Sequence, residues 1–240
     1  MDDEPDLREI YGFWLDAANC ARYYTATNGE EALTRLKTTH IDALVSDIRM
    51  PVMDGIALVR CVANLAQPVP CIIFVTGCGD VDQREMYSLG VEAFLVKGLD
   101  RADFIHVLQN VLEERSNLWL APLAKVPRQS LIIHSEELRG THGANSIHLG
   151  RGGFSAHTDE PLTLGNVSFQ CHFSSGRAAM SGQGLVRWYS RTDQAVGIEF
   201  TFLDPSCRSW VLDEIAAANP RGFITNFSEG AMRMPSIGAL

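Results

Sequence analysis

The sequence predicts two domains, an α/β domain with a parallel sheet in the first half and an all-β domain in the second. In the first half, amphipathic helices alternate with short apolar strands, which is typical of a parallel sheet with helices on both faces. In the second half, short β-branched and aromatic segments are separated by Gly, Asn and Ser, which indicates a small antiparallel barrel. A chain of 240 residues is long enough for both domains.

The first half begins with a helix, because apolar residues at positions 7, 10, 11, 14 and 15 have helical spacing. The segments after it are predicted in this order: YYTATNG as strand and turn, GEEALTRLKTT as helix, IDALVSD as buried strand, GIALVRCVANLA as helix, CIIFVTG as buried strand, DQREMYSLG as helix, EAFLVKG as strand and RADFIHVLQNVLEERSNLWL as closing helix. We expect the closing helix to end near Asn117, ahead of Pro122 and Pro127, which stop helices.

The second half contains six predicted strands: QSLIIHS, NSIHLG, GFSAHT, LTLGNVSFQCHFS, AAMSGQGLVRWYS and AVGIEFTFL. PSCRSWVLDEIAAAN is a predicted helix across one end of the barrel, with Ser206 as its N-cap. The predicted boundaries are residues 1–117 for the α/β domain, 118–127 for a linker, 128–218 for the six-stranded barrel and 219–240 for a flexible tail.

Composition narrows the function classes. The net charge is -9, so a broad basic face that would bind DNA is not expected. No apolar run approaches the ~20 residues of a membrane helix, so no membrane insertion is expected. The 6 cysteines form no CxxC pair, which argues against a zinc site. Reduced thiols predict a cytoplasmic localisation.

Polar residues stand at the carboxyl ends of the predicted parallel strands, where such sheets place their ligand sites. Asp47 follows ALVS, Thr76 ends IIFVT and Lys97 ends AFLVK, while Asp2 and Asp3 open the chain. Carboxylates that crowd together repel, and Mg²⁺ relieves that repulsion. With Mg²⁺ bound, the Asp47 carboxylate would attack a phosphoryl group and form an acyl phosphate. Thr76 and Lys97 would then contact phosphoryl oxygens.

The motifs DDEP, SDIRMPVMDG, FVTG and FLVK resemble the receiver domain of two-component response regulators over about residues 1–116. The resemblance implies a flavodoxin-like fold and a sensor histidine kinase as partner. It also implies that Asp47 is the phospho-acceptor and that Asp2 and Asp3 hold Mg²⁺ together with Asp47 and the backbone carbonyl of Arg49.

The resemblance further implies that Thr76 and Phe94 are a switch pair that rearranges on phosphorylation, with a plain core aromatic as the alternative for Phe94.

The chain departs from the family in two places. Gly98 replaces the proline that follows the lysine. Only Met1 precedes the acidic pair, so we expect the central first strand to be truncated, the sheet weakened and phosphorylation impaired. A sequence that lacks its upstream segment would account for the short first strand. Adding about five apolar residues ahead of Met1 would test the expected loss of stability and phosphorylation.

The segments GRGGFSAHTDEPLTLG, GLVRWYS and VGIEFTFLDP resemble a PilZ domain, the bacterial barrel that binds cyclic di-GMP, over about residues 124–215. The family binds its ligand with an RxxxR stretch and a [D/N]xSxxG stretch. Here the matching positions are degenerate, because His148 replaces the acid and Gly150 the serine. Arg128 stands alone near the second arginine position, and Gly153 matches the motif glycine.

These residues leave two interpretations of the second domain. In the first, a ligand-free PilZ-like barrel acts by protein–protein contact with an unknown effector or as part of a homodimer. In the second, the chain is a cyclic di-GMP-binding effector tuned by the receiver domain, with Arg128, His148, Gly150, Arg151 and Gly153 at the ligand. The first is preferred, because lost polar partners weaken such a site steeply.

The function predicted overall is a phosphorylation-dependent response regulator of a two-component phosphorelay. A phosphatase or phosphotransferase with Asp47 as nucleophile is the remaining alternative. Arg49 stands where such an enzyme would place a second catalytic acid, so the chain is not expected to be an enzyme.

Overall fold

The computed structural model describes residues 1–18, 22–65, 69–77, 82–135, 137–138 and 146–225. The chain divides into two compact units. The first unit comprises Met1–Asp82 with Leu89–Glu114, and the second comprises Gln83–Ser88 with the residues from Arg115 onward. Within the described residues, every helix is too short or too polar to cross a membrane.

The first unit is a parallel sheet with helices. Its elements are α1 (Pro5–Ala17), α2 (Gly29–Thr38), β1 (Ala43–Ser46), α3 (Gly55–Val62), β2 (Cys71–Thr76), β3 (Val91–Val96) and α5 (Arg101–Leu112), while α4 (Gln83–Ser88) belongs to the second unit. The strand order is β1-β2-β3, and both pairs are parallel. This confirms the predicted α/β domain with a parallel sheet.

Helix starts in the first unit are fixed by side-chain caps. The carboxylates of Asp54 and Asp100 and the amide oxygen of Asn28 each accept a hydrogen bond from a backbone N–H three residues later. Each cap satisfies a donor that the first helical turn leaves unpaired. The core beneath these helices is fully buried and apolar: Leu58, Val59, Val62, Ile72, Ile73 and Phe74.

The predicted strand at YYTATNG does not form. Residues 22–26 have no strand conformation, because no strand lies between them and the free edge of β1. Met1 and Asp2 lie across the gap: Met1 N donates to Val45 O at 2.7 Å, and Asp2 N donates to Ala26 O at 3.3 Å. Within the described residues, the sheet of the first unit has three strands.

A cavity of about 640 Å³ occupies this gap. Its walls include Tyr24, Leu36, Val45 and Leu108, so much of its lining is apolar. Strands in a parallel sheet are spaced about 4.8 Å apart and are normally flanked on both sides. The cavity therefore marks the place where β1 lacks a neighbour.

The closing helix of the first unit is shorter than predicted. It ends at Leu112, and a single 3₁₀ turn follows at Arg115–Asn117. Glu113 has an extended backbone, with φ -64° and ψ 140°, which ends the helical hydrogen bonding. The polar residues from 113 to 117 have no apolar stripe to bury, so nothing in packing extends the helix.

In its described residues, the second unit contains one sheet and two α-helices. Its strands are β4 (Gln129–Ser135), β5 (Glu137–Leu138), β6 (Ser146–Leu149), β7 (Gly153–His157), β8 (Gly165–Phe173), β9 (Met180–Ser190) and β10 (Ala195–Leu203), and its helices are α4 and α6 (Pro205–Ala218). The strand order is β4-β8-β9-β10-β7-β6-β5.

The predicted six-stranded antiparallel barrel needs two corrections. Among the described residues the sheet has seven strands, because a two-residue strand, β5, adds to the six predicted ones. It is also mixed: β8, β9, β10, β7 and β6 pair antiparallel, whereas β4 joins β8, and β5 joins β6, in parallel. Alternating apolar residues indicate which face of a strand is buried but not which strand it joins, so pairing direction was not predictable.

The core of the second sheet is aromatic. The rings of Phe154, Phe169 and Phe200 lie 5.1–5.8 Å apart and are buried. Helix α6 covers this core with Val211 and Ile215 on its buried face.

The N-cap of α6 differs from the prediction. Asp204, not Ser206, caps the helix, because the Asp204 carboxylate accepts from Ser206 N at 3.0 Å and from Ser206 Oγ at 2.6 Å. Pro205 follows the cap as the first helical residue, where its missing N–H costs nothing.

Candidate functional site

The carboxyl ends of the three parallel strands bring the predicted site residues together. Asp47 follows β1, Thr76 is the last residue of β2 and Lys97 follows β3. Lys97 Nζ lies 2.7 Å from Asp47 Oδ2, and Lys97 N donates to Thr76 O at 2.9 Å. In-register parallel strands end at one edge of a sheet, which is why residues far apart in sequence meet here.

The Asp47 carboxylate is buried and held in a fixed orientation. Only 6% of Asp47 is exposed. Its Oδ1 accepts from Ile48 N at 2.6 Å and from Arg49 N at 3.3 Å, while Oδ2 faces Lys97. The Arg49 side chain itself is exposed, so only its backbone belongs to the site. Backbone donors stabilise the ionised carboxylate in an otherwise buried position.

Three carboxylates form a candidate cation site. Asp2, Asp3 and Asp47 each offer an oxygen, and these oxygens lie within 4.8 Å of one another. Asp2 is fully buried, and its Oδ2 accepts no hydrogen bond from the described residues, with Lys97 Nζ 3.2 Å away. Carboxylate oxygens grouped in this way are the kind of ligands that a hard divalent cation takes. The residues therefore fit Mg²⁺.

Lys97 is the cation at the centre of the site. Its ammonium contacts Asp47, Asp2 and Glu4, with Glu4 Oε1 at 2.7 Å. Burial alone would lower the pKa of Lys97, but hydrogen bonds to Asp47, Glu4 and Asp2 outweigh it and raise the pKa above its ordinary value. The lysine therefore stays charged at any physiological pH.

Two participants were missed in the sequence. Glu4 pairs with Lys97, and the Arg8 guanidinium donates to Asp2 O at 2.6 Å. Glu4 belongs to the acidic run DDE, which was a usable signal. Arg8 lies one helical turn into α1, and only the fold shows that this turn faces Asp2.

Thr76 and Phe94 lie on neighbouring strands. Phe94 is opposite Phe74 in the β2–β3 register, and Thr76 is two positions further along, opposite Val96. The Phe94 ring lies 6.1 Å from the Phe74 ring and is half-buried, whereas Thr76 is buried. Gly98, which follows Lys97, has φ +93°, a conformation that favours glycine at this position.

Gly55, the first residue of α3, is packed against the site backbone. A Cβ added there would lie 2.4 Å from Asp47 O and 2.9 Å from the Phe74 ring. We expect Gly55→Ala to push Asp47 out of place, to lower the free energy of unfolding by about 2 kcal/mol and to slow phosphoryl uptake. Urea unfolding and labelling with acetyl phosphate measure the two effects. Gly77→Ala is the matched control, because its nearest neighbour would be 4.0 Å away.

The candidate dinucleotide residues belong to the second unit. His148 is in β6, Gly153 opens β7, and Gly150 and Arg151 lie in the turn between them, while Arg128 is exposed ahead of β4. The turn is closed by a hydrogen bond of 2.8 Å from Gly150 N to Gly153 O.

The chain's own residues 222–225 cover this turn. Arg151 N donates to Gly222 O, and Gly152 N donates to Phe223 O, each at 2.9 Å. Residues 222–225 are buried, although they fall in the stretch 219–240 that was predicted as a tail. Residues 226–240 lie outside the described part of the chain.

Comparisons with known proteins identify the first unit. The family profile of the response regulator receiver domain matches residues 1–109. An uncharacterized 14.6 kDa protein of Leptolyngbya boryana is 32% identical over 111 residues, which cover 45% of this chain and 84% of that protein.

A second relative is the positive alginate biosynthesis regulatory protein of Pseudomonas aeruginosa, 31% identical over 129 residues that cover 53% of this chain and 51% of that protein. Among solved structures, a response regulator receiver protein from Pseudomonas putida is 27% identical, with 45% of this chain and 91% of that chain covered at a TM-score of 0.42. The chain spans about half the length of the alginate regulatory protein and about a quarter of the length of other curated relatives. Through residues 1–109, the chain belongs to the response regulator receiver family.

Proposed function

We propose that the chain is a phosphorylation-dependent response regulator of a two-component phosphorelay, in which a sensor histidine kinase phosphorylates Asp47. The observation that carries this proposal is the meeting of Asp47, Asp2 and Lys97 at the carboxyl edge of the sheet, with 2.7 Å between Lys97 Nζ and Asp47 Oδ2. A receiver domain in which these groups converge supports a role in two-component signalling in the cytoplasm.

The residues of the site account for the chemistry. Backbone donors hold Asp47 Oδ1, so the carboxylate keeps one orientation while its other oxygen attacks. A bond forms between Asp47 and phosphorus as the bond to the leaving group breaks, which gives an acyl phosphate. Lys97 then pairs with a phosphoryl oxygen in place of the carboxylate.

A divalent cation belongs to the proposal as well. Asp2, Asp3 and Asp47, with the backbone carbonyl of Arg49, would hold Mg²⁺. When bound, Mg²⁺ would supply positive charge against the incoming phosphoryl group. The Thr76 hydroxyl would donate a hydrogen bond to a phosphoryl oxygen. The Phe94 ring would then move into the room that Thr76 leaves.

For the second unit we propose a PilZ-like output domain that acts by protein–protein contact with an effector or a second copy of the chain. Residues 222–225 are hydrogen-bonded to the turn between His148 and Gly153 and cover it, which supports a domain without a bound dinucleotide. The alternative, cyclic di-GMP binding through Arg128, His148, Gly150, Arg151 and Gly153, would require that turn to be uncovered. Isothermal titration with cyclic di-GMP separates the two, and heat at micromolar ligand would favour the alternative.

Phosphoryl uptake tests the proposal directly. Incubation with acetyl phosphate and Mg²⁺ is expected to add one phosphoryl group to the wild-type chain, as measured by intact mass, and none to Asp47→Ala. Asp42→Ala is the matched control, because Asp42 is an exposed aspartate on the same segment that pairs with His40. Equal labelling of Asp47→Ala and wild type would refute the assignment of Asp47.

A further inference from the structure

Helix α4 belongs to the second unit, although its chain neighbours β2 and β3 belong to the first. Arg84 forms an ion pair with Asp193 and lies 4.8 Å over the ring of Trp188. Asp193 also accepts from Ser190 Oγ at 2.9 Å, which fixes its carboxylate. One end of this six-residue helix is therefore anchored to the turn between β9 and β10.

The other end of α4 is held by residues 222–225, which we name the strap. Phe223 N donates to Tyr87 O at 2.8 Å, and Ile224 N lies 3.4 Å from the same oxygen. The rings of Phe223 and Tyr87 are 6.1 Å apart, and the Arg115 guanidinium lies 5.6 Å over the Phe223 ring.

The opposite side of the strap is bound to the turn of residues 148–153. Two strap carbonyls accept from Arg151 N and Gly152 N, and Thr225 Oγ1 donates to His148 O at 2.9 Å. A Cβ on Gly152 would lie 1.9 Å from the Phe223 ring, so the glycine leaves the space that the ring fills. The turn and the strap are therefore fitted to each other.

We propose that the strap is a mechanical link that transmits the position of α4 to the turn of residues 148–153. This inference rests on the proposed function for its input, since Thr76 lies seven residues ahead of Gln83 and Phe94 lies six residues after Ser88. Thr76 and Phe94 are therefore the site residues nearest to α4 along the chain.

The hydrogen bonds explain why the strap must respond to a shift of α4. The strap uses its N–H groups on α4 and its carbonyls on the turn, so the two sets of bonds share one short backbone segment. A shift of α4 has to break bonds on one side or carry the strap along, because buried N–H groups without partners are costly. Coupling of this kind is reciprocal, so a disturbance at either end is felt at the other.

Hydrogen exchange on the full chain tests the link without any ligand. Thr225→Val removes the hydroxyl that bonds His148 O but leaves the contacts with Tyr87 in place. We expect amide exchange in residues 83–88 to rise about fivefold in this variant, as the loss of one hydrogen bond predicts. In the reverse direction, Tyr87→Leu removes the ring near Phe223, and exchange in residues 148–153 is expected to rise.

Leu164→Ala serves as the control for both variants, because Leu164 is 70% exposed and belongs to the loop just ahead of β8. The link would be overturned if exchange stays unchanged in residues 83–88 of Thr225→Val and in residues 148–153 of Tyr87→Leu, while exchange rises next to the substituted residue. If Tyr87→Leu does not fold, Thr225→Val decides the result alone.

A second arm separates this inference from the proposed function. Acetyl phosphate and Mg²⁺ are expected to raise exchange in residues 83–88, 148–153 and 222–225 together. Labelling of Asp47 with a change confined to residues 83–88 would leave the proposed function standing and refute the strap. Absence of labelling would refute the proposed function, while the two variants would still decide whether the strap couples its ends.

Discussion

Adding five apolar residues ahead of Met1 is expected to raise the free energy of unfolding of the first unit by about 3 kcal/mol. Such a segment would enter the cavity of about 640 Å³ beside β1 and continue the pairing that Met1 begins with Val45. Burial of each Val, Ile or Leu contributes about 1.5–3 kcal/mol, and ordering each residue costs about 2 kcal/mol. New ladder hydrogen bonds, each worth about 1 kcal/mol, make the balance favourable.

Burial of the Met1 amino group adds to this expectation. Desolvation by burial lowers the pKa of that group to about 6, against the opposing charge of Asp2. An amide in its place carries no charge to desolvate, so extension relieves a cost that the amino group imposes.

Urea titration with hydrogen exchange at the β1–β3 amides measures the stability of the first unit by itself. A Gly/Ser extension of equal length is the control, since it lengthens the chain without filling the cavity. Equal stability of the two extended chains would show that the gap beside β1 does not accept a strand. Faster uptake of phosphate from acetyl phosphate is expected in the apolar extension only, because a supported β1 holds Asp47 more firmly.

Replacing Lys97 with methionine is expected to lower the free energy of unfolding at pH 7 by about 2–3 kcal/mol in the absence of Mg²⁺. Asp2 and Asp47 are buried carboxylates that would lose the ammonium between them. Removing one partner of a buried pair leaves an uncompensated charge, although the partial exposure of Lys97, 19% of its side chain, lessens the penalty. Mg²⁺ is expected to recover part of the loss.

The pH dependence follows from the raised pKa of Lys97. A folded-state pKa above the unfolded value means that the stabilising contribution is fully present below the ordinary lysine pKa and is lost only at higher pH. The difference between the variant and wild type should therefore stay at its full size from neutral pH up to the ordinary lysine pKa and shrink only above it. Lys97→Arg retains the charge, and Lys37→Met removes an exposed lysine from α2 as a control.

Much of the first unit was predictable because its strands are local patterns. The runs ALVS and CIIFVT are continuous and mostly apolar, as buried parallel strands require; Asp47 follows the first directly, and Thr76 ends the second. Asp47, Thr76 and Lys97 could be grouped from this placement alone, since parallel strands end at a common edge.

The remainder depends on contacts between distant residues. The segment YYTATNG has the composition of a strand and turn, yet a strand needs a neighbour, and the described residues place no strand beside it. The strap contains glycine and follows a proline, so its composition indicates a loop. Its burial comes from Tyr87 and Gly152, which no local pattern can reveal.

The edge strand β4 pairs with a strand that is synthesised later, β8. Gln129 pairs with Val167, so β4 is made early but has no neighbour until β8 has left the ribosome. Distant pairings close slowly, whereas the hairpins of β8, β9 and β10 close between adjacent segments. Nascent chains of the second unit therefore pass through an interval in which β4 is an unprotected aggregation hazard, with the side chain of Ile132 54% open to solvent even after docking.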